Sequence, residues 1–264
     1  MAFIQNQGAK IYWDEQGEGT PILLIMGLGY SSCMWYRTRP VLAARYRTIA
    51  LDNRGVGQSG MPAGPYPIPL MASDALAVLD AAGVERAHVF GISMGGMIAQ
   101  ELALQNPKRV WSLILGCTAC GGPHAVRAKP EANQMLMARA KMTPEDAAQA
   151  AIPFIYDPET PREKIDEDLA VRRPWFAHPD AYAAQLAGIL AWEAYSRLHT
   201  ITAPTLVIHG ENDQLVPPGN GELIAQRIPG AKLVLIPHAG HIFTTDQPDA
   251  AHQAISDFLA EQIS

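Results

Sequence analysis

Over the first 120 residues, short apolar runs alternate with stretches whose apolar positions recur at helical spacing. Residues 2–16 alternate loosely between apolar and polar, with strand formers concentrated in Ala9-Lys10-Ile11-Tyr12-Trp13. Gly8 divides this stretch, which predicts a hairpin at a sheet edge. Pro21–Met26 is apolar throughout and reads as a strand buried on both faces. Tyr46–Leu51, Ala87–Phe90 and Val110–Leu115 are further short strands. Between them, Met71, Ala75, Val78 and Ala82 mark an amphipathic helix ended by Gly83. Met94, Ile98 and Leu102 mark another, stopped at Asn106-Pro107 because the residue before a proline is pushed out of the helical region. Pro62–Pro69 holds four prolines and is expected to be a loop. Strands alternating with helices predict an α/β fold with a mostly parallel, doubly wound sheet.

The pattern changes at Gly121-Gly122-Pro123, and no convincing strand follows until after Arg197. Helix signals replace them. Thr143 precedes Pro144 as a capping residue precedes a first-turn proline. Thr160 and Glu163 have capping-box spacing. A further helix is expected from Pro179 through Leu186, Leu190 and Trp192. Ala203-Pro204 returns the chain to strands at Thr205–His209 and Ala231–Ile236, and a last helix runs from Pro248 to Ile263. With 264 residues, one domain with an insertion is the natural organisation. Its expected parts are a core of residues 1–120 and 202–264 and a helical insertion of residues 121–201.

Composition narrows the class by exclusion. The chain is 48% hydrophobic and 17% charged, with net charge −6, which is ordinary for a globular protein. No Lys/Arg block points to nucleic acid or an anionic membrane. No basic segment followed by a long apolar one opens the chain, so no signal peptide is expected, and Pro21–Met26 is far too short to span a bilayer. Cys33, Cys117 and Cys120 are too sparse for a disulfide framework, and free thiols imply a reducing, cytoplasmic setting. Neither a metal nor another cofactor is expected: the histidines at 88, 124, 178, 199 and 252 show no ligand-like grouping and no Gly-rich phosphate loop occurs. The expected partner is a small molecule; the pattern leaves the oligomeric state open.

Candidate chemistry centres on Gly91-Ile92-Ser93-Met94-Gly95, between a predicted strand and a predicted helix. Side chains at 91 and 95 would crowd so tight a turn, and the helix start behind Ser93 favours a developing negative charge. A serine hydroxyl needs a base, and that base needs an acid to fix its tautomer. Asp213 and His241 each follow a predicted strand, where sites gather in an open α/β sheet. Glu211 is a rival acid and His238 a rival base. His209 reads as a buried strand-end residue, and Asp246 and Asp249 as capping or solvated groups.

Gly-Ile-Ser-Met-Gly-Gly resembles the nucleophile elbow of the α/β-hydrolase family, and Asp52-Asn-Arg-Gly-Val-Gly-Gln-Ser59 resembles that family's Asp-x-Arg-Gly-x-Gly-x-Ser turn. The resemblance extends over nearly the whole chain, strongly in the sheet and weakly in the insertion. It implies a triad of Ser93, Asp213 and His241, the order that family follows. It implies an oxyanion hole from the Leu28 and Met94 N–H groups, although Met26-Gly-Leu-Gly29 stands where the family usually reads His-Gly-x-Gly. Asp52 and Arg54 are expected to be structural partners bracing their loop, and residues 121–201 to be a cap over the site.

Small carboxylesterases and 3-oxoadipate enol-lactonases are the nearest resemblance, which implies hydrolysis of carboxylic esters through an acyl-enzyme. Met135, Met137, Trp175, Phe176 and Trp192, with Met142 and Phe154, are candidates to line an adaptable apolar pocket. Small to medium, uncharged esters are the expected substrates. A lactonase of the resembling kind must hold a carboxylate; Arg172-Arg173 is available, although an exposed charged face is the commoner role for such a pair. A ligand-binding, receptor-like protein of the same fold is the second class of function, since fold does not fix function.

Overall fold

A computed structural model describes residues 1–262. Its strands are β1 (Ala2–Asn6), β2 (Ala9–Gln16), β3 (Thr20–Ile25), β4 (Tyr46–Leu51), β5 (Ala87–Ile92), β6 (Val110–Gly116), β7 (Thr205–Gly210) and β8 (Lys232–Ile236). They form one sheet in the order β1-β2-β4-β3-β5-β6-β7-β8. β1 and β2 make the expected edge hairpin, with Asn6 opposite Ala9, and β2 runs antiparallel to β4. From β4 to β8 every pairing is parallel.

The helices are α1 (Arg39–Ala43), α2 (Ile68–Ala81), α3 (Met94–Gln105), α4 (Pro130–Ala138), α5 (Pro144–Ile155), α6 (Arg162–Arg172), α7 (Pro179–Leu190), α8 (Gly219–Arg227), α9 (Phe243–Asp246) and α10 (Pro248–Ala260). The continuous apolar run of β3 is explained by cover on both sides. Leu23 and Ile25 pack in one core with Met71 of α2, Ile98 of α3 and Ile224 of α8. Ile22 and Leu24, pointing the other way, pack with Leu42 of α1 and Ile255 and Phe258 of α10. A third cluster, with Met135, Ala151, Ile155, Ile165 and Leu169, joins α4, α5 and α6.

Several local expectations are corrected. Pro69 belongs to the first turn of α2, where its missing N–H is no loss. Thr143 accepts the Asp146 N–H at 3.2 Å as a cap should. Thr160 does not cap α6; its hydroxyl donates to Asp246 at 2.7 Å, and Pro161 precedes the first helical residue. α7 stops at Leu190, short of Trp192. Arg54 pairs with Asp74 at 2.6 Å rather than with Asp52, while the Asp52 carboxylate accepts the N–H groups of Ser32 and Gln58. Within residues 121–201 the regular elements are helices, joined by turns, apart from one bridge between Gly121 and Glu193. Ile263, the expected end of the last helix, lies outside the described residues. Among the described residues, no helix is long and apolar enough to cross a membrane.

Candidate active site

Ser93 sits where β5 turns into α3, at φ 57° and ψ −120°. That conformation is unfavourable for a residue with a Cβ and persists only where the surroundings over-determine it. Here they do. The Ser93 N–H donates to Gly116 O at 2.8 Å, and the Ser93 carbonyl accepts from the Gly96 and Met97 N–H groups and from the Thr118 hydroxyl. Glycine is required on both sides: a Cβ at Gly91 would lie 2.1 Å from Gly95 O, and one at Gly95 would lie 2.1 Å from Ile25 O.

Asp213 and His241 are brought together from the loops after β7 and β8. His241 Nδ1 lies 2.7 Å from Asp213 Oδ2. The other oxygen, Oδ1, accepts the Leu215 and Val216 N–H groups at 2.9 and 2.8 Å. His209, buried at the end of β7 as expected, has Nε2 2.7 Å from Val216 O and 3.3 Å from Asp213 Oδ2. Burial alone would raise the Asp213 carboxyl, but the imidazoles of His241 and His209 outweigh it and hold it at about 2. Of the rivals, Glu211 is exposed, and His238 is an exposed neighbour of Glu159 at 3.3 Å.

Asp249 is exposed in the first turn of α10, but Asp246 is neither capping nor solvated. It is buried, and its carboxylate accepts the Gly240 N–H at 2.7 Å and the Asp157 N–H at 3.2 Å. Burial, reinforced by the charge of Asp157, pushes its carboxyl up to about 6 against the effect of those hydrogen bonds.

Ser93 and His241 line one cavity of about 90 Å³, with no hydrogen bond between their side chains. Leu28 and Met94 line the same cavity, and the N–H of each has no acceptor within the protein. The loop that carries Leu28 is braced without the histidine absent at position 26. Asn53 Nδ2 donates to Met26 O at 2.9 Å, and the Gly29 N–H donates to Gln185 Oε1 at 2.8 Å. Gln185, fully buried on α7, donates in turn to Arg54 O at 2.9 Å.

The residues expected to line the pocket are mostly elsewhere. Met137 and Trp175 are exposed, and Met135 packs within the third core cluster. Trp192 is held away from the cavity because its indole N–H donates to Glu101 of α3 at 2.8 Å. Phe176 lines a small adjoining recess instead, as does Met142. Within residues 121–201 the cavity walls come from Leu136, Arg139, Ile155 and Ile189. Leu136 and Arg139 stand three apart, so they share a helical face; that spacing is the signal available in the sequence. Arg172, one half of the pair read as an exposed charged face, is buried.

Cys117, His209 and Asp213 bring potential ligand atoms within 4.8 Å of one another. Burial pushes the Cys117 thiol well up, with Asp213 adding to the effect. Asp213 and His209 are meanwhile engaged with His241 and Val216.

Comparison with known proteins places this geometry in context. The family model described as alpha/beta hydrolase fold matches residues 20–248. A protein of Azorhizobium caulinodans named as a candidate carbamate hydrolase, RutD, is 35% identical over 265 residues, covering 99% of each chain. The enol-lactonase from Burkholderia xenovorans LB400 superposes with a TM-score of 0.89 at 26% identity, over 98% of this chain and 100% of that one. A thermophilic esterase from Thermogutta terrifontis superposes with a TM-score of 0.86 at 28% identity, over 99% and 97% of the two chains.

Proposed function

The chain belongs to the α/β-hydrolase family, and from that premise we propose that it is a serine hydrolase cleaving carboxylic esters, open-chain or cyclic, through an acyl-enzyme. One observation carries the reading: Ser93, His241 and two acceptor-free backbone N–H groups border a single cavity, with Asp213 bound to His241 from behind.

Ser93 Oγ attacks the carbonyl carbon while His241 takes its proton. Asp213 holds Nδ1–H, which leaves Nε2 as the basic nitrogen and stabilises the imidazolium that forms. The N–H groups of Leu28 and Met94 receive the charge on the carbonyl oxygen; removing one such donor typically costs about 10²–10³ in rate. His241 then protonates the leaving alcohol and activates water to release the acid. A serine–histidine hydrogen bond of this kind commonly tightens when substrate binds.

Leu136, Ile155 and Ile189 favour small to medium, mainly apolar acyl groups. Residues 121–201 act as the cap that supplies this side of the pocket. A lactone follows the same steps with its leaving alcohol still tethered, and the likeness to an enol-lactonase supports including it. The three free cysteines support a reducing, cytoplasmic setting.

The test is a panel of p-nitrophenyl esters, lactones and carbamates assayed with the wild-type protein and Ser93→Ala. Turnover that disappears in Ser93→Ala supports the reading. Turnover that survives the substitution, or a wild-type protein inert on the whole panel, overturns it, the inert result favouring a binding protein of this fold.

A further inference from the structure

The residues on either side of His241 are fastened to the end of α5. The Ile242 N–H donates to Ile155 O at 2.9 Å. The Gly240 N–H donates to Asp246 Oδ2 at 2.7 Å, and the same oxygen accepts the Asp157 N–H at 3.2 Å. This contact leaves no room for a side chain at Gly240: a Cβ there would lie 2.9 Å from Ile155 O and 3.0 Å from Asp157 N. The backbone of residues 155–157 therefore packs directly on the backbone that carries His241.

The same stretch reaches the loop of the acid. Asp157 Oδ2 accepts from Asn212 Nδ2 at 2.6 Å, and Asn212 immediately precedes Asp213. Asp157 Oδ1 accepts the Glu159 N–H at 2.9 Å, which orients the carboxylate within its own turn. One residue between α5 and α6 thus directs its N–H to the histidine loop, through Asp246, and its carboxylate to the acid loop. The two loops also meet directly, where the Asn212 N–H donates to Ala239 O at 2.8 Å. Asp157 adds a second tie between them, made from outside the sheet.

Asp157 and Asp246 are 4% and 5% exposed, and among the described residues neither forms an ion pair. Two neighbouring buried carboxylates disfavour each other's charge, and Asp157 does push the Asp246 carboxyl up. For packing alone, apolar residues of similar size would serve as well or better. What the carboxylates provide is direction, because hydrogen bonds to an ionised acceptor are short and strong.

We propose that Asp157 is a positioning residue for the proposed hydrolysis, holding the His241–Asp213 pair in place relative to Ser93. It does not line the cavity that holds Ser93. It acts through Asn212 and, by way of Asp246, through Gly240. This deepens the proposed function and rests on its assignment of Ser93, His241 and Asp213. Ile155 lines that cavity while its carbonyl holds the Ile242 N–H, so the wall that meets the substrate and the brace that aims the base belong to one segment. A misplacement of about 1 Å can cost about 10²-fold in rate. Loosening the brace should therefore appear in kcat rather than in KM.

Asp157→Ala, Asp157→Asn, Asn212→Ala and the variant combining Asp157→Ala with Asn212→Ala are compared with wild type and Ser93→Ala on the fastest p-nitrophenyl ester. Asp157→Ala is expected to lower kcat about tenfold, the effect of losing one hydrogen bond to a charged group, with KM changed by less than about twofold. Asn212→Ala should lower kcat several-fold, and the combined variant no further than Asp157→Ala, because both remove the same bond. In Asp157→Asn the amide oxygen still accepts the Glu159 N–H, and the Asn212 amide can turn over to accept from the new NH₂ group. That variant should recover most of kcat. Wild-type kcat in both Asp157→Ala and Asn212→Ala, or losses that multiply in the combined variant, overturn the role. If Asp157→Ala does not fold, Asn212→Ala, altered at an exposed side chain, decides the matter.

A second readout needs no turnover. The proton NMR signal of the imidazole N–H shared by His241 and Asp213, identified by its loss in His241→Ala, reports on the pair itself. It should shift or broaden in Asp157→Ala and return in Asp157→Asn. That result supports the brace even if Ser93→Ala still cleaves esters, in which case only the nucleophile reading fails. A signal unmoved in Asp157→Ala overturns the brace, whatever Ser93→Ala does.

Discussion

His241 Nδ1 and Asp213 Oδ2 stand 2.7 Å apart, while the second carboxylate oxygen is bound to two backbone N–H groups, those of Leu215 and Val216. That asymmetry fixes what an amide would do in place of the acid. In Asp213→Asn the carbonyl oxygen must stay with the two N–H donors, so the NH₂ group faces His241. Nδ1 then becomes the acceptor and Nε2 carries the proton, which is the wrong tautomer for a base. The variant is expected to fold normally and lose about 10⁴-fold in kcat. Steady-state kinetics beside a melting curve check this; activity within tenfold of wild type would show that the pair does not set the tautomer.

Gly95 is packed against the end of β3. A Cβ there meets two backbone oxygens, Ile25 O at 2.1 Å and Met26 O at 2.8 Å, and neither can swing aside as a flexible side chain would. Gly95→Ala is expected to destabilise the protein by on the order of 3 kcal/mol, seen as a melting temperature roughly 5–10 °C lower. A melting curve superimposable on wild type would contradict this packing.

Gln185 is a positioning residue. Its amide accepts the Gly29 N–H and donates to Arg54 O. Gln185→Leu leaves two buried backbone groups unpaired, at about 1–3 kcal/mol each, and releases the loop next to the Leu28 N–H. The expected loss is about tenfold, in kcat more than in KM, because the donor acts mainly on the transition state. Gln185→Glu, which keeps an acceptor for Gly29, should recover part of kcat. Equal kcat in Gln185→Leu and wild type would remove this role.

Asp246 gives a pH signature. Its carboxyl is raised to about 6, against about 3.9 in an unfolded chain. Between those values the folded protein keeps a proton that the unfolded chain has released. The contribution of Asp246 to stability is therefore greatest below about pH 4, declines as pH rises to about 6, and is level above that. Urea unfolding of wild type and Asp246→Asn across this range isolates the group. The stability of wild type relative to the variant should decline over that interval, and a difference independent of pH would refute it. Asp157, Lys164 and His238 border the same polar pocket and should be left unchanged.

The sheet and the turn at Ser93 were legible because their signals are local. A run such as Ile22-Leu23-Leu24-Ile25 needs no distant partner to be recognised, and Gly91 and Gly95 flank the residue they serve. The pocket walls were not. Met135, Leu136 and Met137 are consecutive on α4, and a helix turns about 100° per residue, so at most one could face the cavity; packing of the whole helix chose Leu136. Arg172 and Arg173 diverge in the same way, and only Arg172 is buried. Trp192 is held by Glu101, ninety-one positions earlier, and Thr160 gave up its capping position to donate to Asp246. Hydrophobic periodicity carries no trace of such distant polar partners.

The Gln185 amide ties helix α7 to the loop that carries Leu28. Helix α7 also accepts the Tyr66 N–H through Ala184 O at 3.0 Å, so it is fastened to the core at adjacent positions. Any swing of this helix wide enough to break the Gln185 bond would release the Gly29 N–H, in the peptide group next to the one that presents the Leu28 N–H. In the proposed mechanism, then, an opening made by moving this helix would come at the expense of the loop that carries the Leu28 N–H, and a molecule too large for it to close behind would be admitted and left intact.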